Sequence, residues 1–242
     1  MRLNKFISST GICSRREADA WIERGRVTVN GRRADLGTQV SPTDEVRVNG
    51  RLLAVRRKEH VYIALNKPAG ITCTTERHVA GNIIAFVKHE ERIFPIGRLD
   101  KESEGLILLT SDGDIVNEVL RAEHNHEKEY IVTVDQPITD DVLAAMSRGV
   151  RLPELNVTTR RCKTGRISAR TFRIILTQGL NRQIRRMCEM FGYRVNRLQR
   201  IRIMNVKLDG LRSGHWRNLR PVELRGLLPS AKIRPGGGQR TA

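Results

Sequence analysis

The chain has 242 residues, enough for one large domain or for two smaller ones that each bury a core. It carries 44 lysines and arginines against 26 aspartates and glutamates, a formal net charge of +18, so we expect it to bind a polyanion, with nucleic acid as the first candidate. The sequence lacks a signal-peptide pattern, an apolar stretch of roughly 18 residues, and cysteines at disulfide or zinc-ligand spacing. These features argue against an exported, membrane or zinc-finger protein and predict a two-domain cytoplasmic protein.

Two short helices are predicted at the start of the chain. Leu3, Phe6 and Ile7 recur at helical spacing. A second helix is expected after Ser14, because Glu17 lies three residues on and completes a capping-box pattern. The alternating segments RVTVNG and DEVRVNGRLL then predict two strands, each ended by Asn-Gly, a strong turn signal.

These elements predict a first domain over residues 1–54, followed by a charged linker over 55–60. A second domain is expected over 61–228. The last residues, 229–242, are rich in Gly and Pro with almost nothing to bury, and this composition predicts a disordered basic tail.

The second domain opens with the strand pattern VYIALNK and the turn Lys67-Pro68-Ala69-Gly70. Further along, RIFPIGRLDKESEGLILLT places Asp100 on a loop just ahead of an apolar strand that can hold it in place. Three roles are open to this acid: a loop salt bridge, one member of a glycosidase-type pair, and a lone carboxylate that acts as nucleophile or base. The pair is disfavoured, because Glu102 and Glu104 are sequence neighbours with no reason to face Asp100 across a substrate.

The densest basic segment lies near the end of the second domain. A strand in FRIILTQGLN leads into an amphipathic helix whose start carries Arg182, Arg185 and Arg186. From residue 181 to residue 202 there are seven arginines and one acid, Glu189. Positive charge in the first turn of a helix opposes the helix dipole, so we expect an anionic group to offset it.

The N-terminal stretch SRREADAWIERGRVTVNG resembles the S4 RNA-binding domain. In such domains a helix pair presents basic side chains to an RNA backbone. The resemblance implies phosphate contacts from residues that add affinity rather than sequence choice. They are Arg2, Lys5, Arg15, Arg16 and Arg32.

Four motifs in order, LNKPAGIT, PIGRLDKESEGLILLT, HEKEYIVTV and QGLNRQIRRMCEMFGYRVNRLQRIRI, resemble the RsuA branch of the pseudouridine synthases. These enzymes carry an N-terminal S4 domain and modify ribosomal RNA without a metal or organic cofactor. The resemblance implies an α+β chain: a small S4-type αL RNA-binding domain, then a synthase domain with a mixed, largely antiparallel sheet flanked by helices. The implied reaction is isomerisation of one uridine, expected in large-subunit ribosomal RNA.

The resemblance also implies roles for particular residues. Asp100 stands at the position of the catalytic aspartate. Tyr130 stands at the position of a tyrosine that stacks on the base and relays a proton at C5. Arg185 stands at the position of the basic residue that pairs with the catalytic aspartate. Leu198 is expected to close the other face of the uracil, and Arg98 to fill the gap left by the flipped uridine. Further residues expected to line the RNA groove are Lys67, Asn181, Arg182, Arg186, Arg197, Arg200 and Arg202.

Several alternatives stay open at this point. Asp100 can attack C1′, attack C6 or take a proton from C2′. A noncatalytic RNA-binding or ribosome-assembly protein would use the same basic surfaces, and the same reaction on transfer RNA fits equally well. His124 and His126 lack a third ligand, so they are expected to be loop residues touching RNA, and the chain is expected to act as a monomer with no metal.

Overall fold

The computed structural model describes residues 1–53, 60–76, 78–113, 115 and 126–227. The chain divides into two compact units, Met1–Glu59 and His60–Ala242. Most of the predicted linker, His124 and the predicted tail lie outside the described residues.

The first unit contains two helices and a small sheet. Its helices are α1 (Leu3–Ser9) and α2 (Arg15–Glu23), and its strands are β1 (Val27–Val29), β2 (Arg32–Arg33), β3 (Val46–Val48) and β4 (Arg51–Leu52). The strands form an antiparallel sheet in the order β2-β1-β3-β4. Ser14 and Glu17 cap α2 reciprocally, which confirms the predicted capping box. Both Asn-Gly pairs adopt positive φ at the two turns, as a tight hairpin turn requires.

The second unit is built on a large sheet. Its strands are β5 (Tyr62–Lys67), β6 (Phe94–Ile96), β7 (Glu104–Thr110), β8 (Lys128–Val134), β9 (Arg151–Leu152), β10 (Val157–Thr158), β11 (Lys163–Ser168), β12 (Thr171–Leu176), β13 (Val195–Ile203), β14 (Val206–Lys207) and β15 (Trp216–Asn218). Its helices are α3 (Ile83–Val87), α4 (Asp140–Arg148), α5 (Gln183–Glu189) and α6 (Pro221–Leu227), with a short 3-10 helix at Pro153–Leu155. Among the described helices, none has the length and apolar character needed to cross a membrane.

The sheet of nine strands runs in the order β11-β12-β8-β13-β7-β5-β15, with β14 beside β13 and β6 beside β7. The pairing of β13 with β7 is parallel, whereas the other pairings in this sheet are antiparallel. This arrangement confirms the predicted mixed, largely antiparallel sheet. The smaller strands β9 and β10 pair with each other.

The two faces of the central strands bury different cores. Alternate residues of β7 divide between them: Ile107 and Leu109 join the larger core, while Leu106 and Leu108 join the smaller one. Helix α5 contributes Ile184 to the larger core. Because β7 is covered on both faces, it gives a rigid anchor to the loop that precedes it.

Gly105 permits an unusually close approach where β7 meets β13. Its φ is +102°, and a Cβ placed there would lie 2.3 Å from the carbonyl oxygen of Arg200. A side chain at this position would therefore collide with backbone. Glycine lets β13 pair in parallel with the first residues of β7 and brings Arg200 beside the loop of Asp100.

Glu223 joins α6 to the edge of the sheet. Its side chain is 2% exposed and accepts hydrogen bonds from the guanidinium groups of Arg217 and Arg220 at 2.8 and 3.0 Å. Burial by itself would favour the neutral acid, but the hydrogen bonds from the two arginines outweigh it and lower the pKa of Glu223 to about 2.

We expect Glu223→Gln to lower the free energy of unfolding by about 2 kcal/mol at pH 7. A depressed carboxyl pKa stabilises the fold above the unfolded pKa near 4.5, and this contribution is lost as the pH falls toward about 2. Urea unfolding of both proteins should thus show a difference that shrinks by more than half between pH 7 and pH 3.5.

The matched control is Asp140→Asn. Asp140 forms an ion pair with Arg166, but its side chain is 82% exposed, so its loss should cost less than about 1 kcal/mol. Equal costs for the two substitutions, or a Glu223→Gln cost that does not change with pH, would contradict the assignment.

Candidate active site

Asp100 lies in the turn between β6 and β7, half-buried. Its carbonyl oxygen accepts a hydrogen bond from the Ser103 backbone N–H at 3.0 Å, which closes the turn. A second loop, which follows β5, is joined to this turn because the Gly70 N–H donates to the Lys101 carbonyl at 2.7 Å. The carboxylate therefore sits on a loop that is braced by a strand behind it and by a neighbouring loop.

Lys67 is fully buried and does not line a surface groove, which corrects the sequence prediction. Its ammonium donates to the carbonyls of Pro68 at 2.8 Å, Ile71 at 3.0 Å and Lys101 at 3.4 Å. Desolvation lowers the pKa of Lys67, while Cys73 and Asp100 act in the opposite direction. The Lys67 ammonium thus holds the two loops together, close to Asp100.

Arg185 is also buried, with 8% of its surface exposed. Its guanidinium donates to the Val195 carbonyl at 3.0 Å and to the Ser103 hydroxyl at 3.3 Å. The predicted direct ion pair with Asp100 is not among the contacts of the described residues, because Arg185 reaches Ser103, three residues further along the same turn. The Nε atom of Arg185 is buried without a hydrogen-bond partner.

Arg200 is buried, with 4% of its surface exposed, so the prediction that it lines the RNA groove is wrong. Its Nε donates to the Leu106 carbonyl at 2.7 Å, and its Nη1 reaches the Arg98 carbonyl at 3.5 Å. Its Cζ lies 6.0 Å from the centroid of the Tyr130 ring, at the outer limit of a cation–π contact. Arg200 therefore connects the loop of Asp100 with the ring of Tyr130.

Two buried side-chain nitrogens in the described part of the chain lack a partner, Arg185 Nε and Arg200 Nη2. Buried donors are nearly always paired, so each unpaired nitrogen calls for an explanation. These two belong to the arginines that flank the Asp100 turn, on α5 and on β13. Unused donors concentrated at one place are typical of a site that receives an acceptor group from a substrate.

Tyr130 and Leu198 lie on the neighbouring strands β8 and β13 and are 9% and 5% exposed. Both belong to the larger core. Arg98, in contrast, is exposed, two residues before Asp100. The structure thus brings Asp100, Arg98, Tyr130, Arg185 and Arg200 into one region, through the hydrogen bonds and ring contact of the two buried arginines.

Glu102, Ser103 and Glu104 each bind an arginine from the basic segment 181–202. Glu102 pairs with Arg182 at 3.0 Å and Glu104 with Arg197 at 2.6 Å, on either side of the bond between Ser103 and Arg185. Sequence reasoning missed this role for the two glutamates. The signal was present, since acids alternate in KESEG while the basic segment has a single acid, but their pairing depends on the register of β7 against β13.

The remaining predicted groove residues lie nearer the surface. Asn181 is exposed, Arg186 is half-buried and pairs with Glu154, and Arg202 is bound by Glu127 at 3.0 Å and Glu129 at 2.6 Å. His126 is half-buried, and its carbonyl accepts a hydrogen bond from Lys128. Of the predicted S4 contacts, Arg2, Arg15, Arg16 and Arg32 are exposed and Lys5 is half-buried.

The described residues contain no group of three or more His, Cys, Asp or Glu side chains able to hold a metal ion. The site instead offers one carboxylate, one phenol and buried guanidinium groups. Such a set can position a carboxylate for attack or proton transfer and stabilise developing negative charge.

A family model described as RNA pseudouridylate synthase matches residues 61–190, and a model for the S4 domain matches residues 1–46. The chain belongs to the RNA pseudouridylate synthase family. It is a pseudouridine synthase, which confirms the predicted enzyme class and sets aside the noncatalytic alternative. The predicted S4 domain at the N-terminus is confirmed as well.

Curated relatives and a solved structure agree with this assignment. The chain is 58% identical to the dual-specificity RNA pseudouridine synthase RluF of Escherichia coli K12, over 93% of this chain and 77% of that one. It is 34% identical to the ribosomal large subunit pseudouridine synthase B of Bacillus subtilis, over 93% and 95% of the two chains. A crystal structure of a pseudouridylate synthase superposes with a TM-score of 0.70 at 29% identity, covering 94% of this chain and 100% of that chain.

The finer likeness within the branch follows from two segments. RAEHNHEKEYIVTVDQPIT and RIRIMNVKLDGL predict that the chain is most similar to the F-type member of the branch. The similarity to RluF confirms this prediction of resemblance.

Proposed function

We propose that this pseudouridine synthase isomerises a uridine in the RNA of the large ribosomal subunit. The Bacillus subtilis relative is named a ribosomal large subunit pseudouridine synthase, and the Escherichia coli relative is named a dual-specificity RNA pseudouridine synthase. The proposal therefore includes a second RNA substrate class, for which transfer RNA is the candidate. The basic residues of the chain suit both, because arginine and lysine contacts to phosphate carry no base sequence.

In the proposed reaction the N1–C1′ bond of the uridine breaks, the base turns and a C5–C1′ bond forms; the proton at C5 leaves and N1 takes up a proton, so the composition is unchanged. Asp100 is the reacting carboxylate, and the positions C1′, C6 and C2′ remain three routes for its first step. Tyr130 stacks on the base, and its hydroxyl relays the C5 proton. Leu198 closes the opposite face of the uracil, and Arg98 occupies the space that the extruded nucleotide leaves in the RNA.

The two buried arginines support this chemistry from either side of the Asp100 turn. Arg185 Nε is an unused donor of the guanidinium that binds Ser103, and it can donate a hydrogen bond to the Asp100 carboxylate. Arg200 places a cation beside the Tyr130 ring, where it can stabilise negative charge that develops on the reacting base. The observation that carries the proposal is that Arg200 contacts both the Arg98 carbonyl, in the loop of Asp100, and the ring of Tyr130.

The exposed members of the site are proposed to contact the RNA backbone. Arg182 and Arg197 pair with acids at the surface, and a phosphate can exchange for those acids because exposed ion pairs are weak. Arg186 and Arg202, whose ion pairs are more buried, are proposed to contact phosphate at the edge of the same surface. The S4 residues Arg2, Lys5, Arg15, Arg16 and Arg32 are proposed to contribute further phosphate contacts. Lys67 is excluded from this set by its burial and serves the loops instead.

We also propose that the enzyme acts as a monomer in the cytoplasm. The cysteines of the chain are free and three of the four are buried, as suits a reducing compartment.

The test is a pseudouridine map of both RNA classes from a strain that lacks the gene. Ribosomal and transfer RNA are treated with carbodiimide and analysed by primer extension, before and after incubation with the purified enzyme. We expect one large-subunit position to lose its modification in the strain and to regain it with the enzyme. Unchanged large-subunit RNA together with an altered transfer RNA position would overturn the ribosomal proposal.

A further inference from the structure

Two large aromatic side chains are exposed in the described part of the chain, and both lie at one place. Phe86 is 36% exposed and Trp216 is 40% exposed. The ring of Trp216 contacts that of His89, with centroids 5.4 Å apart and planes inclined by 57°. The Phe86 ring lies against Gly214, where a Cβ would be 3.6 Å from its Cζ. Phe86, His89 and Trp216 are called the aromatic patch below.

The aromatic patch is held by a defined local structure. Helix α3 is capped by Asn82 and ends at Lys88, which takes the left-handed conformation at φ +51°. His89 follows directly after this turn. The His89 ring is fixed in turn, because its Nδ1 accepts a hydrogen bond from the Glu91 N–H at 2.9 Å. Exposed rings that are held rigidly are suited to binding, since little side-chain entropy is lost.

The aromatic patch adjoins the loops of the active site. Trp216 pairs with Leu65 on β5, and two residues later Lys67 donates to the Lys101 carbonyl beside Asp100. Helix α3 starts from the same loop region, because the Thr72 carbonyl accepts from the N–H of Ile83. Strand spacings put Trp216 about 15 Å from the Asp100 turn. This separation is within reach of the nucleotides that flank an extruded uridine.

We propose that the aromatic patch is a stacking platform for an unpaired base of the RNA, next to the target uridine. The inference rests on the proposed RNA substrate. A chain of net charge +18 attracts RNA, and exposed rings beside its catalytic loops offer π-faces on which any base can stack. The adjoining segment 88–92 carries two basic and two acidic residues, so the patch adds base stacking rather than charge.

The first experiment uses the fact that the chain has two tryptophans, Trp21 and Trp216. The full-length Trp21→Phe protein reports on Trp216 alone. It is titrated with octauridylate and with an abasic chain of the same length, which has equal charge and no bases. We expect octauridylate to quench Trp216 fluorescence and the abasic chain to leave it unchanged. Equal effects of the two chains, or no quenching by either, would overturn the proposal.

The second experiment separates stacking from charge. Trp216→Ala should weaken binding of octauridylate by roughly 5-fold or more without changing the dependence of affinity on salt, whereas Trp216→Phe should retain most of the affinity. The matched control is Arg15→Ala, which should reduce the salt dependence. Thermal unfolding verifies that each variant is folded. A loss of salt dependence in Trp216→Ala, unchanged affinity, or a change in sedimentation showing that the ring contacts a second copy would contradict the inference.

The proposed function is tested separately. If the aromatic patch does not stack on RNA bases but the enzyme acts on RNA, Trp216→Ala will bind octauridylate and modify RNA as the wild type does. If the proposed substrate is wrong, the RNA maps will fail while fluorescence quenching can still be measured.

Discussion

Asp100→Asn is expected to lower the rate of pseudouridine formation by about 10³-fold or more while RNA binding is retained. The amide keeps the size of the side chain, but it can neither attack the nucleoside nor take a proton. Removing a negative charge from a basic site should leave the affinity for RNA equal or higher. Single-turnover kinetics on an accepted RNA, with filter binding in parallel, measures the two quantities.

Glu102→Gln is the matched control for this substitution. Glu102 lies two residues away and pairs with Arg182, but its side chain is 62% exposed. Loss of an exposed ion pair should change the rate by no more than about 3-fold. If Asp100→Asn turned over like the wild type, or if both variants lost activity alike, Asp100 would not be the reacting carboxylate.

Features encoded by neighbouring residues were predicted well from the sequence. The capping box at Ser14, the Asn-Gly turns and the strand that supports the Asp100 loop each depend on residues a few positions apart. Local patterns of this kind fix hydrogen bonds and burial within one element, so sequence alone is sufficient to recognise them.

The positions of the charged side chains were predicted less well. Lysine and arginine are usually exposed, so the sequence placed Lys67 and Arg200 on an RNA surface, whereas the structure buries both. Their burial depends on backbone carbonyl groups from distant segments of the chain. Lys67 binds the carbonyl of Lys101, and Arg200 binds the carbonyls of Leu106 and Arg98. Likewise, the contacts of residues 102–104 with arginines beyond residue 181 follow from the parallel pairing of β7 and β13, which no local pattern encodes.

The second large effect is expected at Arg200, where the predictions from sequence and from structure diverge. A surface arginine in an RNA groove would contribute affinity, so its loss would raise the Kd and leave the chemical rate unchanged. A buried arginine that holds the Arg98 carbonyl and faces Tyr130 would instead position the reacting groups. The two roles therefore give opposite patterns in rate and affinity.

We expect Arg200→Met to lower the single-turnover rate by about 10²-fold, with the Kd for RNA changed by less than about 3-fold. Methionine fills much of the space but leaves the Leu106 carbonyl without its donor and removes the cation beside Tyr130. Arg200→Lys should recover part of the rate, because it restores the charge without the planar fork of the guanidinium. Thermal unfolding of each variant identifies any loss that comes from instability alone.

Arg197→Met provides the contrast on the same strand. Arg197 is 62% exposed and pairs with Glu104, so its loss should raise the Kd and lower the salt dependence by about one phosphate contact, with the chemical rate unchanged. The assignment of Arg200 would fail if its variants showed the same pattern as Arg197→Met. It would also fail if Arg200→Lys were as slow as Arg200→Met, because the cation beside Tyr130 would then contribute nothing to the reaction.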